Sequence, residues 1–251
     1  MISSAIYLIN DSIDKDKDKK HPTKKFRIIA SGLVSVRSAI KLSLLLLSIS
    51  FFIGFNLNII FGIILASYFS IQILYCFKLK HLPIIEFFCV ASGFIMRSIA
   101  GGIASGIIIS PWFLLSVGML SLFLAVEKRK AEILNLKKTK IFTRKVLNHY
   151  SLELINKFEA VLTSSTVMTY SLWAYGPLVG GSKSQYMIIT IPLVMLGIFR
   201  YQMLSEIKQN KIYKKSNITS ETPERILYSD KPIQIIVFSW LLIIIYVGYF
   251  T

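Results

Sequence analysis

Negative charge is scarce in this chain of 251 residues: 13 Asp and Glu stand against 29 Lys and Arg, a formal net charge of +16. Charge of either sign is thin, at 17% of residues, where a soluble domain carries about 25%. Cysteine is nearly absent. The two present, Cys76 and Cys89, lie in apolar stretches outside any metal-ligand spacing, which excludes a disulfide scaffold. A secretory signal is missing too, since residues 1–9 lack a basic start and run into an acidic cluster. What remains is apolar: 54% of residues are hydrophobic and the mean hydropathy is +0.61. A disordered chain and an ordinary soluble enzyme are excluded, and a membrane protein is indicated.

A membrane helix needs roughly 20 mostly apolar residues, because the hydrocarbon layer is about 30 Å thick and a helix rises about 1.5 Å per residue. Seven segments qualify, near 39–55, 58–77, 84–106, 112–127, 152–175, 185–203 and 233–250. The predicted fold is an all-α, polytopic transmembrane helical bundle occupying 1–251 as a single integral-membrane domain. The apolar stretch Ile2–Ile9 reaches only about 13 Å and cannot span. It reads as the second half of a helix whose first half is missing.

The basic residues set the orientation. Residues 10–37 hold eight Lys or Arg, 78–83 two, 128–150 eight and 205–232 six, whereas the intervening short loops hold only Lys183. This strict alternation places the basic loops in the cytoplasm and the chain, multi-pass, in the inner (cytoplasmic) membrane. The positive excess is then mainly a topology signal. A nucleic-acid partner would need a basic face on a soluble domain, which is lacking.

Four of the 13 acidic residues fall between Asp11 and Asp18. Asp11, Asp14 and Asp18 are spaced i, i+3, i+7, which stacks them on one helical face where like charges repel and call for a compensating cation. Hard carboxylate oxygens suit Mg²⁺, which shares its shell with substrate phosphates. The segment also reads as a solvated Asp/Lys linker. It is not an EF-hand, since Lys19 and Lys25 stand where that loop has its glycine and its closing glutamate. Next comes His21-Pro22-Thr23-Lys24-Lys25-Phe26-Arg27, with Lys24 and Arg27 three apart after a proline. An acidic metal cluster beside a basic hook is what a diphosphate substrate requires.

Glu127-Lys128-Arg129-Lys130-Ala131-Glu132 is a second candidate, or an ordinary basic helix flank. Arg97 lies inside an apolar segment, where a charge is costly and usually faces a polar cavity. Arg200, near a segment end, has the alternative of snorkelling to the interface. Gly101, Gly102, Ser105 and Gly106 suit close helix packing, and Tyr150, Tyr170, Trp173 and Tyr201 suit interface anchors or core.

Together these residues resemble a family. Asn10-Asp11-x-x-Asp14-x-x-x-Asp18 is similar to the first aspartate-rich motif of the UbiA-type intramembrane prenyltransferases. His21-Pro22-x-Lys24-x-x-Arg27-x-Ile29-Ala30-Ser31-Gly32 narrows the likeness to the decaprenyl-phosphate phosphoribosyltransferase branch. Gly93-Phe94-x-x-Arg97 with Ala100-Gly101-Gly102 resembles that branch's fifth-helix pattern. Leu122-Phe123-Leu124-Ala125 with Lys128-Arg129-x-x-Glu132 resembles its second active-site motif. Phe199-Arg200-Tyr201 and Pro223-Glu224 with Asp230-Lys231-Pro232 resemble its last cytoplasmic region. The likeness runs in order along nearly the whole chain. Two departures stand out. Ile28 replaces a usual proline, which loosens the turn after Arg27. The family also has nine helices, of which this chain lacks the first and half of the second, so that either the start lies upstream of Met1 or the protein is truncated.

The resemblance implies Mg²⁺-dependent transfer of 5-phosphoribose from phosphoribosyl diphosphate to a polyprenyl (decaprenyl) phosphate at the cytoplasmic face, supplying a lipid-linked sugar donor for cell-envelope polysaccharide. It implies Asp11, Asp14 and Asp18 as metal ligands, with Asn10 and Glu132 orienting metal waters or ribose hydroxyls. Lys24, Arg27, Lys128 and Arg129 would clamp phosphates, and Arg97, Arg200 and Tyr201 would line the substrate site. Two alternatives stay open: a prenyltransferase acting on an aromatic acceptor, and an anion transporter using Arg97 and Arg200. The basic second motif speaks against the first, and the lack of a repeated half with paired broken helices against the second.

Overall fold

A computed structural model describes residues 1–21, 24–139, 145–176, 180–207 and 223–250. Ten α-helices are present there, and no strand: α1 (Ile2–Ile13), α2 (Lys15–Lys19), α3 (Val36–Leu57), α4 (Ile59–Phe77), α5 (Ile85–Ser105), α6 (Pro111–Thr139), α7 (Leu152–Ala174), α8 (Ile191–Ile207), α9 (Pro223–Ser229) and α10 (Lys231–Phe250). The all-helical class read from the sequence is what is observed.

Among the described residues six helical stretches are long and apolar enough to cross a membrane: Val36–Leu57, Ile59–Phe77, Ile85–Ser105, Pro111–Leu134, Gln185–Glu206 and Lys231–Gly248. The seventh predicted segment, 152–175, does form a helix, α7, of 23 residues, but it is not among the six. Its first turns carry Glu153, Lys157 and Glu159, and its middle is rich in Ser and Thr. Those hydroxyls are satisfied within the helix: Thr166 Oγ1 donates to Leu162 O at 2.7 Å and Ser171 Oγ to Val167 O at 2.8 Å. Such back-bonding hides polarity that a hydropathy reading counts in full. α6 also departs from expectation, running through the charged stretch after 127 instead of ending there. Lys, Arg and Glu are good helix formers, and Arg129 and Glu132 pair one turn apart.

The chain divides into two compact units, the first Met1–Ile108 with Ile141–Val146, the second Ile109–Lys140 with Leu147–Thr251. In the first, α1 packs on α3 and α4, and α4 on α5. Its core joins Ile2, Ala5 and Ile6 of α1 to Leu47 of α3 and Tyr68 and Cys76 of α4. Asn58 alone connects α3 to α4: its side chain accepts from Ile60 N at 2.7 Å and so caps α4. Gly62 lets the Phe55 ring lie on the α4 backbone, where any Cβ would clash. In the second unit α6 packs on α7 and α8 on α10. One core cluster gathers Phe123, Ile198, Tyr201, Ile226 and Ile233, and another Tyr170, Ala174, Met187 and Val247. Tyr170 is thus core, its hydroxyl accepting from Trp240 Nε1 at 2.7 Å. Phe52, Phe88, Leu196 and Phe238 stay exposed, as helices facing lipid require.

Candidate active site

The first motif is assembled by a break in the helix. α1 ends at Ile13, Asp14 adopts φ −89°, ψ 3°, and α2 resumes at Lys15. The aspartates therefore do not share one continuous helical face, yet two of them still converge. Arg27 Nη1 donates to Asp11 Oδ1 at 2.7 Å and to Asp18 Oδ2 at 2.9 Å. The compensating cation expected from sequence is a side chain of this chain. Burial pushes the Asp11 carboxyl above its ordinary range; the Arg27 guanidinium pulls it back, and the Asp18 and Asp14 charges raise it further.

Asp14 has a different partner. Lys80, in the short turn between α4 and α5, donates to both Asp14 oxygens at 2.9 and 2.8 Å, with Asn10 Oδ1 at 3.5 Å. Lys80 is only 3% exposed. Sequence reading missed it, counting it as one basic loop residue among many. The signal available was its place in a loop of just six residues between two spans, too short to let an ammonium wander. Ile84, just before α5, adopts φ 66°, a left-handed conformation that a β-branched residue adopts only under strain.

After α2 the chain turns back. His21 is buried and its Nδ1 accepts from Lys24 N at 3.3 Å, which fixes the base of the hook carrying Lys24 and Arg27. Past Arg27 the turn closes through Ser31 N to Arg27 O at 2.8 Å and Gly32 N to Ile29 O at 3.3 Å, with Gly32 at φ 86°. Pro22 lies outside the described residues, as do the side chains of Pro223 and Glu224. Arg97 Nε donates to Gly93 O at 3.1 Å, and its guanidinium stacks on the Phe94 ring at 4.4 Å, so both contacts are to its own helix.

In the second unit Arg129 and Glu132 are each about 4% exposed and joined at 2.6 Å, whereas Lys128 points outward. Lys130 turns inward to Glu159 of α7 at 2.6 Å. Glu159, hidden in an apolar reading of α7, is the second residue sequence analysis passed over. Arg200 grips Asp230 with two nitrogens, at 3.2 and 2.9 Å, and Asp230 in turn accepts from Ile233 N at the start of α10. Tyr201 sets its ring edge-on to Phe123.

The donor set of the first motif suits one kind of metal site. Among the described residues no three His, Cys, Asp or Glu form a closed cage. Two carboxylates already converge on one positive atom, Arg27 Nη1, and a third lies nearby. Magnesium is characteristically held by one or two carboxylates, with waters and substrate phosphates completing its shell, so these residues fit it.

The sequence profile of the UbiA prenyltransferase family matches residues 1–220, and the chain belongs to that family. It is a transferase and a multi-pass membrane protein. The decaprenyl-phosphate phosphoribosyltransferase of Corynebacterium glutamicum is 34% identical over 253 residues, covering 98% of this chain and 72% of that one. The enzyme of the same name from Mycolicibacterium smegmatis is 35% identical over 249 residues, covering 96% and 75%. In fold, a UbiA homolog from Archaeoglobus fulgidus bound to GPP and Mg²⁺ superposes with a TM-score of 0.69 at 20% identity, covering 95% of this chain and 80% of that one.

Proposed function

We propose that this transferase moves 5-phosphoribose from phosphoribosyl diphosphate to a polyprenyl phosphate, at the cytoplasmic face of the inner membrane. The observation that carries the reading is the convergence of Asp11 and Asp18 on the Arg27 guanidinium, with Asp14 on Lys80 alongside, in a chain 34% identical to a decaprenyl-phosphate phosphoribosyltransferase. Carboxylates and cations held within bonding distance of each other are matched to a ligand that brings both metal and phosphate. Asp11, Asp14 and Asp18 would hold magnesium, which when bound neutralises charge on a departing diphosphate.

The reaction breaks the bond from the anomeric carbon to diphosphate, whose oxygen leaves with the electron pair. A new bond forms from that carbon to an oxygen of the lipid phosphate. The nucleophile is already anionic, so no side chain has to remove a proton. Lys24 and Arg27 take phosphate charge on the donor, Arg27 by a planar fork that suits two oxygens at once. Lys80 holds the Asp14 carboxylate in place. Lys128 and Arg129 bind phosphate as well, and Glu132 holds Arg129 or meets ribose hydroxyls. Asn10 orients ligands of the first motif, Arg97 meets the acceptor phosphate, and Arg200 and Tyr201 support the last cytoplasmic region.

The test supplies membranes containing the protein with Mg²⁺, labelled phosphoribosyl diphosphate and polyprenyl phosphate. Label is expected in the lipid phase, and absent there for Asp11→Ala and Asp14→Ala. Transfer solely from a prenyl diphosphate to an aromatic acid would refute the reading.

A further inference from the structure

The short segment that carries Arg27 has two kinds of side chain. Residues 24–34 close on themselves: Arg27 N donates to Lys24 O at 3.0 Å, Ser31 N to Arg27 O at 2.8 Å and Val34 N to Ile28 O at 3.3 Å. Arg27 turns inward to Asp11 and Asp18, and Ile29 and Ala30 just after it are buried. Phe26 and Ile28, on either side of Arg27, are instead 74% and 61% exposed, and Leu33 is 80% exposed. Lys25 holds its ammonium over the Phe26 ring, 5.1 Å from the centroid. A turn pinned this tightly cannot fold three large apolar side chains away from water, and their exposure asks for an apolar partner.

Their place in the chain says which partner. Leu33 stands three residues before Val36, where α3 begins, and α3 is one of the apolar helices long enough to cross a membrane. The bond from Val34 N to Ile28 O keeps Ile28 at the same level. A helix of 22 residues covers about 33 Å, little more than the hydrocarbon layer, so the turn before it lies at headgroup depth. Arg37 and Lys41 are exposed one turn apart at the start of α3, and the exposed Leu44 and Leu45 follow them. The apolar side chains of the turn therefore continue those that α3 presents to lipid. Lys25, Arg37 and Lys41 join no ion pair among the described residues and suit anionic headgroup phosphates. A protein partner would bury about 800 Å² of this surface, more than three side chains on one turn supply, whereas a lipid leaflet needs no matching shape.

We propose that Phe26, Ile28 and Leu33 dip into the membrane interface as a shallow anchor, with lipid phosphates on Lys25, Arg37 and Lys41. The anchor holds the turn from which Arg27 reaches Asp11 and Asp18. Phe26 and Leu33 are then positioning residues, acting on the site through Arg27. Their effect on turnover rests on the transfer reaction proposed above; the contact with lipid does not.

The experiment places the full chain in nanodiscs of phosphatidylcholine and phosphatidylglycerol in equal parts, with a thiol-linked fluorophore at Leu33→Cys, Phe26→Cys or Asp16→Cys. Cys76 and Cys89 are buried, and the unsubstituted chain carried through the same labelling gives the background. Asp16 on α2, its side chain 93% exposed, is the reference for water. A nitroxide on the upper acyl chain of the lipid should quench the probe at Leu33→Cys and Phe26→Cys at least about threefold more than at Asp16→Cys, and soluble iodide should do the reverse. In the transfer assay Phe26→Ser combined with Leu33→Ser should lose roughly fivefold in turnover, and Phe26→Leu should keep most of it. Quenching at Leu33→Cys that matches Asp16→Cys would overturn the proposal. So would shielding from both quenchers, which would mean a protein surface, and so would a probe that leaves water only once polyprenyl phosphate is added, which would assign the turn to that lipid's tail. If Leu33→Cys does not fold, Phe26→Cys decides. A wild type that transfers no phosphoribose defeats the functional reading and leaves the quenching comparison standing.

Discussion

In the first unit three aspartates meet two cations delivered from other segments, Arg27 from the hook after α2 and Lys80 from the turn before α5. In the second, Lys130 of α6 pairs with Glu159 of α7, and Glu127 is buried on the same helix as the lysine. The first cluster lies at helix ends and in loops and is partly open: Arg27 and Asp11 side chains are 39% and 27% exposed. The second is closed among helices. The difference separates two uses of charge. On the proposed reading, the open cluster exchanges its internal cation for a ligand and sits where water and substrate can reach it. The closed cluster ties helices together.

The largest effect expected comes from removing the partner of the most buried cation in the open cluster. Asp14→Ala leaves Lys80 inside without a carboxylate, which should cost about 3–5 kcal/mol and abolish transfer. Thermal unfolding together with the label-transfer assay checks both, and an Asp14→Ala protein of unchanged stability would mean that Lys80 finds water instead. In the closed cluster Glu159→Gln keeps the shape and removes the charge opposite Lys130. A loss of about 1–3 kcal/mol is expected, seen as a lower unfolding midpoint. Transfer should suffer less than in Asp14→Ala; an equal loss of activity would erase the distinction drawn between the clusters.

Arg27→Lys sharpens it from the other side. Lysine keeps one charge but not a fork that reaches Asp11 and Asp18 together, so turnover should fall while stability moves by less than about 1 kcal/mol, because the pair is solvent-screened. Asp230→Ala removes both the grip on Arg200 and the cap on α10, at about 1 kcal/mol in unfolding experiments. Smallest of all is Glu153→Ala. Its pair with Lys157 is 79% and 70% exposed, and the change should stay within about 0.5 kcal/mol in the same measurement.

Much of this architecture is legible in the amino-acid order. Uninterrupted apolar length is a local property, so α3, α4, α5, α7 and α10 could be located from composition to within a few residues. The Asp11, Asp14, Asp18 spacing and the Lys24–Arg27 hook are local too, and the need for a compensating cation followed from like-charge repulsion alone. What escaped were long-range partnerships. Lys80 and Asp14 are 66 positions apart, and Lys130 and Glu159 are 29 apart. Nothing in either neighbourhood names the other. α7 forms where the sequence placed it, and its Ser and Thr hydroxyls turn back on their own helix, a satisfaction that no hydropathy count registers.

The sequence by itself determined the class of molecule: an all-helical membrane protein whose positive excess follows alternate loops and whose scarce carboxylates gather ahead of a basic hook. Hydrophobic length and charge alternation act on the chain before any tertiary contact forms, which is why composition suffices for them. Tertiary structure alone decided which cation answers which carboxylate, that Arg27 spans two aspartates, that Arg200 serves Asp230, and that Glu127 is buried beside another acid. Those outcomes depend on ångström distances between helices remote in sequence, and on desolvation that exists only once the helices have packed.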